Sequence, residues 1–371
     1  MNTVTNASHA FDHTRAVPVS PAQPKSIGRW TAGADGQANS PDTLANVISL
    51  IDQPVYVVDR DGTEFYTSIG SAFLGTTTGL TDDLPLLAYI PPLRMTDLGD
   101  SSFCADHRIR LPYMTGAMAN GIASTRLVKA IANAGMLGSF GAAGLMVNQI
   151  ESAILELKTV LGNKPFCANL IHSPNEKGQE QAVVDIYLRH GIHLVEASAY
   201  MALTLQVVRY RLHGIHRDIE GNIVTPNRII AKASRQEVAT RWFSPPPQKF
   251  VSELLAQGVI TAEQAELATQ VPMAQDLTVE ADSGGHTDNR PALTLLPTML
   301  GLRDQLQAHY NYSVRLRVGA AGGIATPATA AAAFAIGAAY IVTGSVNQAC
   351  IESGSSDLVR QMLAGADQAD V

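Results

Sequence analysis

From Leu111 onward, strand-like and helix-like segments alternate eight times, and this repetition limits the fold more than any other feature of the chain. Strand candidates begin near Pro112, Met136, Phe166, His193, Arg228, Asp276, Arg315 and Ala339. Eight such units in about 250 residues match the count and length of a (β/α)8 TIM barrel of the α/β class. The intervening helices are legible. Asn148 to Leu161 places Ile150, Ile154, Leu157 and Leu161 at spacings of three and four, with Gly162 as the stop. Gln179 to His190 repeats the scheme with Val183, Ile186 and Tyr187 inward and Gly191 beyond. A doubly wound open sheet also alternates strands and helices, but its G-x-G-x-x-G turn is missing after the first strand.

The fifth unit is long. Residues 235–275 carry Pro245-Pro246-Pro247 and two short amphipathic stretches, which predicts a helical insertion over one barrel mouth. Residues 1–45 are rich in Ser, Thr, Asn, Pro and Gly without periodicity, and read as a largely flexible lead with room for short ordered pieces. Residues 46–100 form a small β-rich element, because two β-prone runs flank Asp61-Gly62, a strong hairpin signal. The barrel then occupies 101–371.

Bulk composition excludes several classes. With 16% charged residues and a net charge of -7, the chain lacks the basic face of a general nucleic-acid binder. No apolar run reaches the roughly 20 residues needed to span a bilayer, and Met1 to Ser40 is not a secretory signal, so a cytoplasmic protein is expected. The three cysteines, Cys104, Cys167 and Cys350, are far apart and read as packing residues rather than metal ligands or a disulfide framework.

The clearest site lies at the ends of strands seven and eight, in Val318-Gly-Ala-Ala-Gly-Gly-Ile and Thr343-Gly-Ser-Val-Asn-Gln. Barrels hold phosphates there on backbone N–H groups and the start of a short helix. Gly322, Gly323 and Gly344 allow close approach of an anion, and Ser345 adds a hydroxyl donor. Such a site takes any phosphorylated ligand. After strand six, Glu280-Ala-Asp-Ser-Gly-Gly-His places His286 where barrel enzymes carry their chemistry, as the leading general-acid candidate. Glu280 and Asp282 could orient it or merely bind a neighbouring loop. Lys232 sits among apolar residues in strand five and needs a partner: either the N1–C2=O edge of a flavin, or an ion pair with Glu196 or Glu280. Asn169 and His172, ending strand three, suit a ligand contact or a capped turn. The basic stretch of Arg209, Arg211, His213, His216 and Arg217 is either a solvated helix end or a dock for an acidic carrier protein.

Gly116-Ala-Met-Ala-Asn-Gly-Ile-Ala-Ser, Gly138-Ser-Phe-Gly-Ala-Ala-Gly, Glu280-Ala-Asp-Ser-Gly-Gly-His-Thr-Asp-Asn-Arg-Pro and Gly319-Ala-Ala-Gly-Gly-Ile-Ala-Thr-Pro together resemble the PfaD family. These are trans-acting enoyl reductases of polyketide and polyunsaturated fatty acid synthases, related to nitronate monooxygenase barrels. The resemblance runs from about Leu98 to the last residue. It implies FMN, NADPH as hydride donor, and an enoyl thioester on an acyl carrier protein, reduced by ping-pong transfer through flavin N5 to the β-carbon. It places the FMN phosphate at Gly322, Gly323, Gly344 and Ser345, and the flavin ring near Ala117, Met118, Asn169 and Lys232, with Gly285 also against the cofactor. His286, Lys232 and His172 become the catalytic candidates, and no metal site is expected. The resemblance leaves room for a homodimer. Family members continue past the segment that here ends at Val371, so a C-terminal region is expected to be missing. A nitronate oxidase with His286 as base, and a synthase component that binds no flavin, stay open as other readings.

Overall fold

The computed structural model describes residues 25–32, 43–75, 83–176, 178–282 and 288–366. Two compact units divide at Arg94 and Met95. The larger holds a closed barrel of eight parallel strands: Tyr113–Thr115, Leu137–Phe140, Cys167–Ile171, Leu194–Ser198, Arg228–Ala233, Asp276–Glu280, Arg317–Ala321 and Ile341–Thr343. Each pairs with the next in sequence, and the eighth closes on the first through Val342 opposite Met114. The strands start within two residues of the expected positions.

Period-two alternation sets the two faces of each strand. In strand five, Ile229, Ala231 and Ala233 join the outer layer, and helix Gln236–Phe243 packs against this strand. Ile230 belongs instead to a separate inner cluster with Met114, Leu137, Cys167, Tyr340 and Val342. Lys232 shares the parity of Ile230. The register sets Ile230 opposite both Glu196 and Asp276, and Lys232 opposite Thr278.

The N-terminal end of the barrel is closed by helix Ser101–His107, with Phe103 stacked on Tyr340 at 4.0 Å between ring centroids. Beside them, Asp276 binds Arg317 (2.6 Å) and His107 (2.8 Å), all three buried. Ion pairs at this end stabilise the barrel, while chemistry belongs to the other end.

The segment 235–275 forms helices Gln236–Phe243, Gln248–Ala256 and Ala262–Leu267. It does not cover a mouth as expected. Val251, Leu254, Ile260 and Leu267 bury themselves in the outer layer, and helix Gln248–Ala256 packs against helix Leu205–Leu212 on the barrel flank. The apolar face of the insertion is satisfied there.

The smaller unit is a five-stranded antiparallel sheet in the order Thr63–Thr67, Val55–Arg60, Leu84–Ile90, Gly28–Thr31, Ser71–Leu74. The hairpin turns at Asp61 and Gly62, both at positive φ. Strand Gly28–Thr31 is an ordered piece within residues 1–45: Trp30 is buried with Tyr56, Val58, Phe65 and Leu86, and its indole donates to the Ile69 carbonyl at 2.9 Å.

Candidate functional site

At the C-terminal end of strand seven the chain turns through Gly322 and Gly323, both at positive φ. A Cβ on Gly322 would fall 1.4 Å from the Ala281 carbonyl oxygen, so only glycine fits beside the end of strand six. Gly344 ends strand eight and opens the short helix Ser345–Gln348. A Cβ there would meet nothing within 4 Å. The backbone N–H groups of Gly323, Ile324, Ser345 and Val346 donate to no acceptor among the described residues. These bare amides on adjacent strand ends are the donor set a phosphate needs. The Ser345 side chain is exposed.

Inside the same end, Glu196 of strand four is fully buried and organises the polar groups. Its Oε2 accepts from the Ala117 amide at 2.7 Å, which ties down the turn after strand one. Its Oε1 has no hydrogen-bond partner and stands 3.7 Å from Lys232 Nζ. Lys232 donates to Glu280 Oε1 at 2.7 Å. Burial works against the lysine charge, but Glu196 and Glu280 together hold its pKa above the ordinary lysine value, so it is an ammonium at neutral pH. The ion pairs weighed for Lys232 therefore form with both carboxylates. They do not exhaust it: an ammonium has three donors, Glu280 takes one, and 3.7 Å is too long for a hydrogen bond to Glu196.

Asn169, also buried, donates from Nδ2 to the Glu196 carbonyl and to Ser198 Oγ, each at 3.1 Å. Ala117 is half-buried and Met118 buried, both in the turn that Glu196 holds. His172 lies half-exposed at the end of strand three, its Nδ1 3.1 Å from Glu180 Oε2 and its ring stacked on Tyr200. Glu180 also accepts from Tyr200 and Thr204. This second carboxylate orients His172 but also knits strand three to the turn after strand four.

His286 and Gly285 lie outside the described residues. The positions flanking their segment are pinned. Asp282, at positive φ, accepts from the Ala292 amide at 2.8 Å. Asp288 is gripped by the Arg235 guanidinium at 2.7 and 2.8 Å and accepts from Ser234. The Arg235 hydrogen bonds keep the Asp288 carboxyl below its usual range.

Sequence reasoning treated Glu196 only as a possible partner of Lys232 and missed its grip on Ala117. The signal for it was a lone acid in the apolar run Leu194-Val-Glu-Ala-Ser, on the same parity as inward Leu194. The basic stretch also needs correction. Arg211 is not solvated: it is buried and donates to the Pro272 and Asn227 carbonyls. Among the described residues no His, Cys, Asp and Glu cluster could hold a metal, and no helix is long and apolar enough to cross a membrane.

Residues 103–371 match the family model described as nitronate monooxygenase. One of the polyunsaturated fatty acid synthase proteins of Thraustochytrium sp. is 48% identical over 284 residues, covering 76% of this chain and 19% of that protein. Polyketide biosynthesis protein PksE of Bacillus subtilis is 37% identical over 346 residues, covering 87% of this chain and 45% of that protein. The chain thus spans less than half the length of these curated relatives. Among solved structures, the enoyl reductase domain of MlnA from the macrolactin biosynthesis cluster of Bacillus amyloliquefaciens is similar with a TM-score of 0.71. It is 39% identical, over 74% of this chain and 62% of that one.

Proposed function

This chain belongs to the nitronate monooxygenase family of flavin-dependent barrels, and from that premise we propose that it is an FMN-dependent enoyl reductase acting in trans on carrier-protein-bound enoyl thioesters, with NADPH as donor. The observation that carries the cofactor is the set of bare amides on the ends of strands seven and eight. The choice of enoyl reduction within the family is supported by the likeness to the MlnA enoyl reductase domain.

When bound, FMN supplies the hydride carrier between NADPH and the β-carbon of the enoyl thioester. Gly322 and Gly323 would hold its phosphate on backbone amides, as would Gly344 and Ser345 from the adjacent strand. Lys232 would offer one of its two remaining N–H groups to the pyrimidine edge of the ring, where negative charge develops. Glu196 and Glu280 hold that ammonium in place, and Glu196 fixes the Ala117–Met118 turn on which a flat ring can rest. Asn169 supports the same wall. His286 donates the proton at the substrate α-carbon, or a hydrogen bond to the thioester carbonyl. His172, already engaged with Glu180, is the second candidate for this role.

The reading is tested on the purified protein by identifying the released flavin and then assaying two reactions side by side. NADPH consumption that requires a crotonyl thioester is expected. Oxygen uptake with an alkyl nitronate, without thioester-dependent NADPH oxidation, would replace it with nitronate oxidation. Protein that cannot be loaded with FMN would leave only a non-catalytic binding role.

A further inference from the structure

If the substrate arrives on an acidic carrier protein, some surface of this chain must meet it, and the basic stretch at 209–217 is largely spent. Arg209 is held by Asp185 at 2.5 Å and Arg211 is buried, which leaves Arg217 as the one exposed arginine of the stretch without a carboxylate partner among the described residues. Arg241 and Lys249 differ. Both are exposed, and neither pairs with a carboxylate among the described residues. They border a cavity of about 370 Å³ whose lining contains no acidic side chain. In a chain of net charge -7, two exposed cations without an ion pair among the described residues border this one cavity.

The rest of the cavity narrows its ligand. Leu203, Pro245, Pro247 and Phe250 give it an apolar lining, and prolines bring no N–H. The hydroxyls of Thr240 and Ser244 donate to the backbone carbonyls of Gln236 and Thr240. The side-chain donors left for a ligand are therefore those of Lys249 and the part of the Arg241 guanidinium that the Met201 carbonyl does not take. Lys249 Nζ rests 4.4 Å from the centre of the Phe250 ring, which limits its wandering. Arg241 donates to the Met201 carbonyl, in the turn just past strand four, so the cavity reaches the rim at the end of the barrel that holds Glu196 and Lys232.

We infer that this cavity is the docking site for the carrier protein, receiving an apolar side chain flanked by carboxylates from an acidic helix. The inference rests on the carrier-bound substrate proposed above. Charge complementarity selects this occupant, because paired carboxylates match the two cations and an apolar knob matches the lining.

The test uses the FMN-loaded enzyme and a fluorescently labelled acyl carrier protein bearing a crotonyl group. Arg241→Glu with Lys249→Glu should weaken carrier binding by about tenfold or more in anisotropy titrations and flatten its salt dependence. Flavin content and turnover of crotonyl-pantetheine should stay as in wild type. Lys249→Glu alone, which leaves the Arg241–Met201 contact intact, should give a smaller loss in the same direction. Arg209→Glu should change carrier binding by less than about twofold, since Asp185 already neutralises that position. Unchanged carrier affinity in both charge-reversed variants overturns the dock. So does a rise in KM for NADPH with carrier affinity kept, which would make the cavity a nucleotide-phosphate site. Wild-type enzyme that reduces crotonyl-pantetheine but does not bind the carrier also overturns it, while enzyme inert toward both thioesters overturns the proposed function itself.

Discussion

Glu196 stands between the Ala117 amide and the Lys232 ammonium, 2.7 Å from the first and 3.7 Å from the second, and so couples barrel strands one, four and five through one buried carboxylate. Removing it strands the part-buried Ala117 N–H and leaves Lys232 with Glu280 alone. Glu196→Ala should cost roughly 2–4 kcal/mol in urea unfolding, from the orphaned amide and the weakened ion pair. Glu196→Gln keeps an acceptor for Ala117 and should lose about half as much. FMN affinity should fall in both, more in the alanine variant, because the Ala117–Met118 turn loses its tether. Equal stability of both variants and wild type would show that the carboxylate does not hold this turn.

At the opposite end of the barrel, the Asp276–Arg317–His107 cluster gives an acid-stability prediction. Burial pushes the Asp276 carboxyl up, but the Arg317 guanidinium and His107 overcome it and bring its pKa down to about 2. An unfolded aspartate titrates near 3.9. The folded value is depressed, so the contribution is complete above about pH 5 and drains away as the pH falls toward 2, some 2–3 kcal/mol in all. Asp276→Asn should be less stable than wild type at neutral pH by about 3 kcal/mol or more, since Arg317 loses a buried partner. The two stability curves should converge on acidification. A constant gap from about pH 6 to about pH 2.5 would show that Asp276 does not titrate with folding.

The proposed phosphate site allows a paired substitution. Gly344 has open space around its Cβ position, so Gly344→Ala adds a methyl that meets no neighbouring atom. Gly344→Asp adds a carboxylate among the bare amides. The aspartate variant should keep its melting temperature without cofactor yet bind FMN at least about 10²-fold more weakly, through like-charge repulsion of the phosphate. The alanine variant should lose far less. Full flavin occupancy in Gly344→Asp would move the phosphate elsewhere.

The barrel could be read from the sequence because its signals are local. Ile150, Ile154, Leu157 and Leu161 recur at helical spacing within one segment, and Asp61-Gly62 fixes its own turn. Strand Gly28–Thr31 gives no such signal: it is four residues long, and its partners lie at Ser71–Leu74 and Leu84–Ile90. The site divides the same way. The glycines at 322, 323 and 344 mark their strand ends directly. Glu196 could be named as one partner for Lys232, but its bond to the Ala117 amide joins strand four to the turn after strand one, which no spacing along the chain contains. His172 and Glu180 are eight residues apart, yet only the turn between strand and helix brings them to 3.1 Å.

The remaining prediction separates the two histidines. His172 already spends Nδ1 on Glu180, whose other oxygen accepts from Tyr200 and Thr204, so its imidazole is part of a structural knot. His286 follows Gly284-Gly285, between the pinned residues Asp282 and Asp288. Bleaching of the bound flavin by NADPH needs no protein acid, whereas its recovery with a crotonyl thioester does. His286→Ala should therefore bind FMN and bleach at close to the wild-type rate, but recover about 10²–10⁴-fold more slowly, the usual contribution of one positioned acid. A histidine that only donates a hydrogen bond to the thioester oxygen would give a loss near the lower end of that range. His172→Ala should slow recovery by no more than about tenfold while lowering stability by roughly 1–2 kcal/mol, because Glu180 loses a hydrogen-bond partner. Stopped-flow traces of each half-reaction at fixed pH decide the matter. Slow bleaching with normal recovery in His286→Ala would make it a nicotinamide contact, and His172 would then be tested as the proton donor.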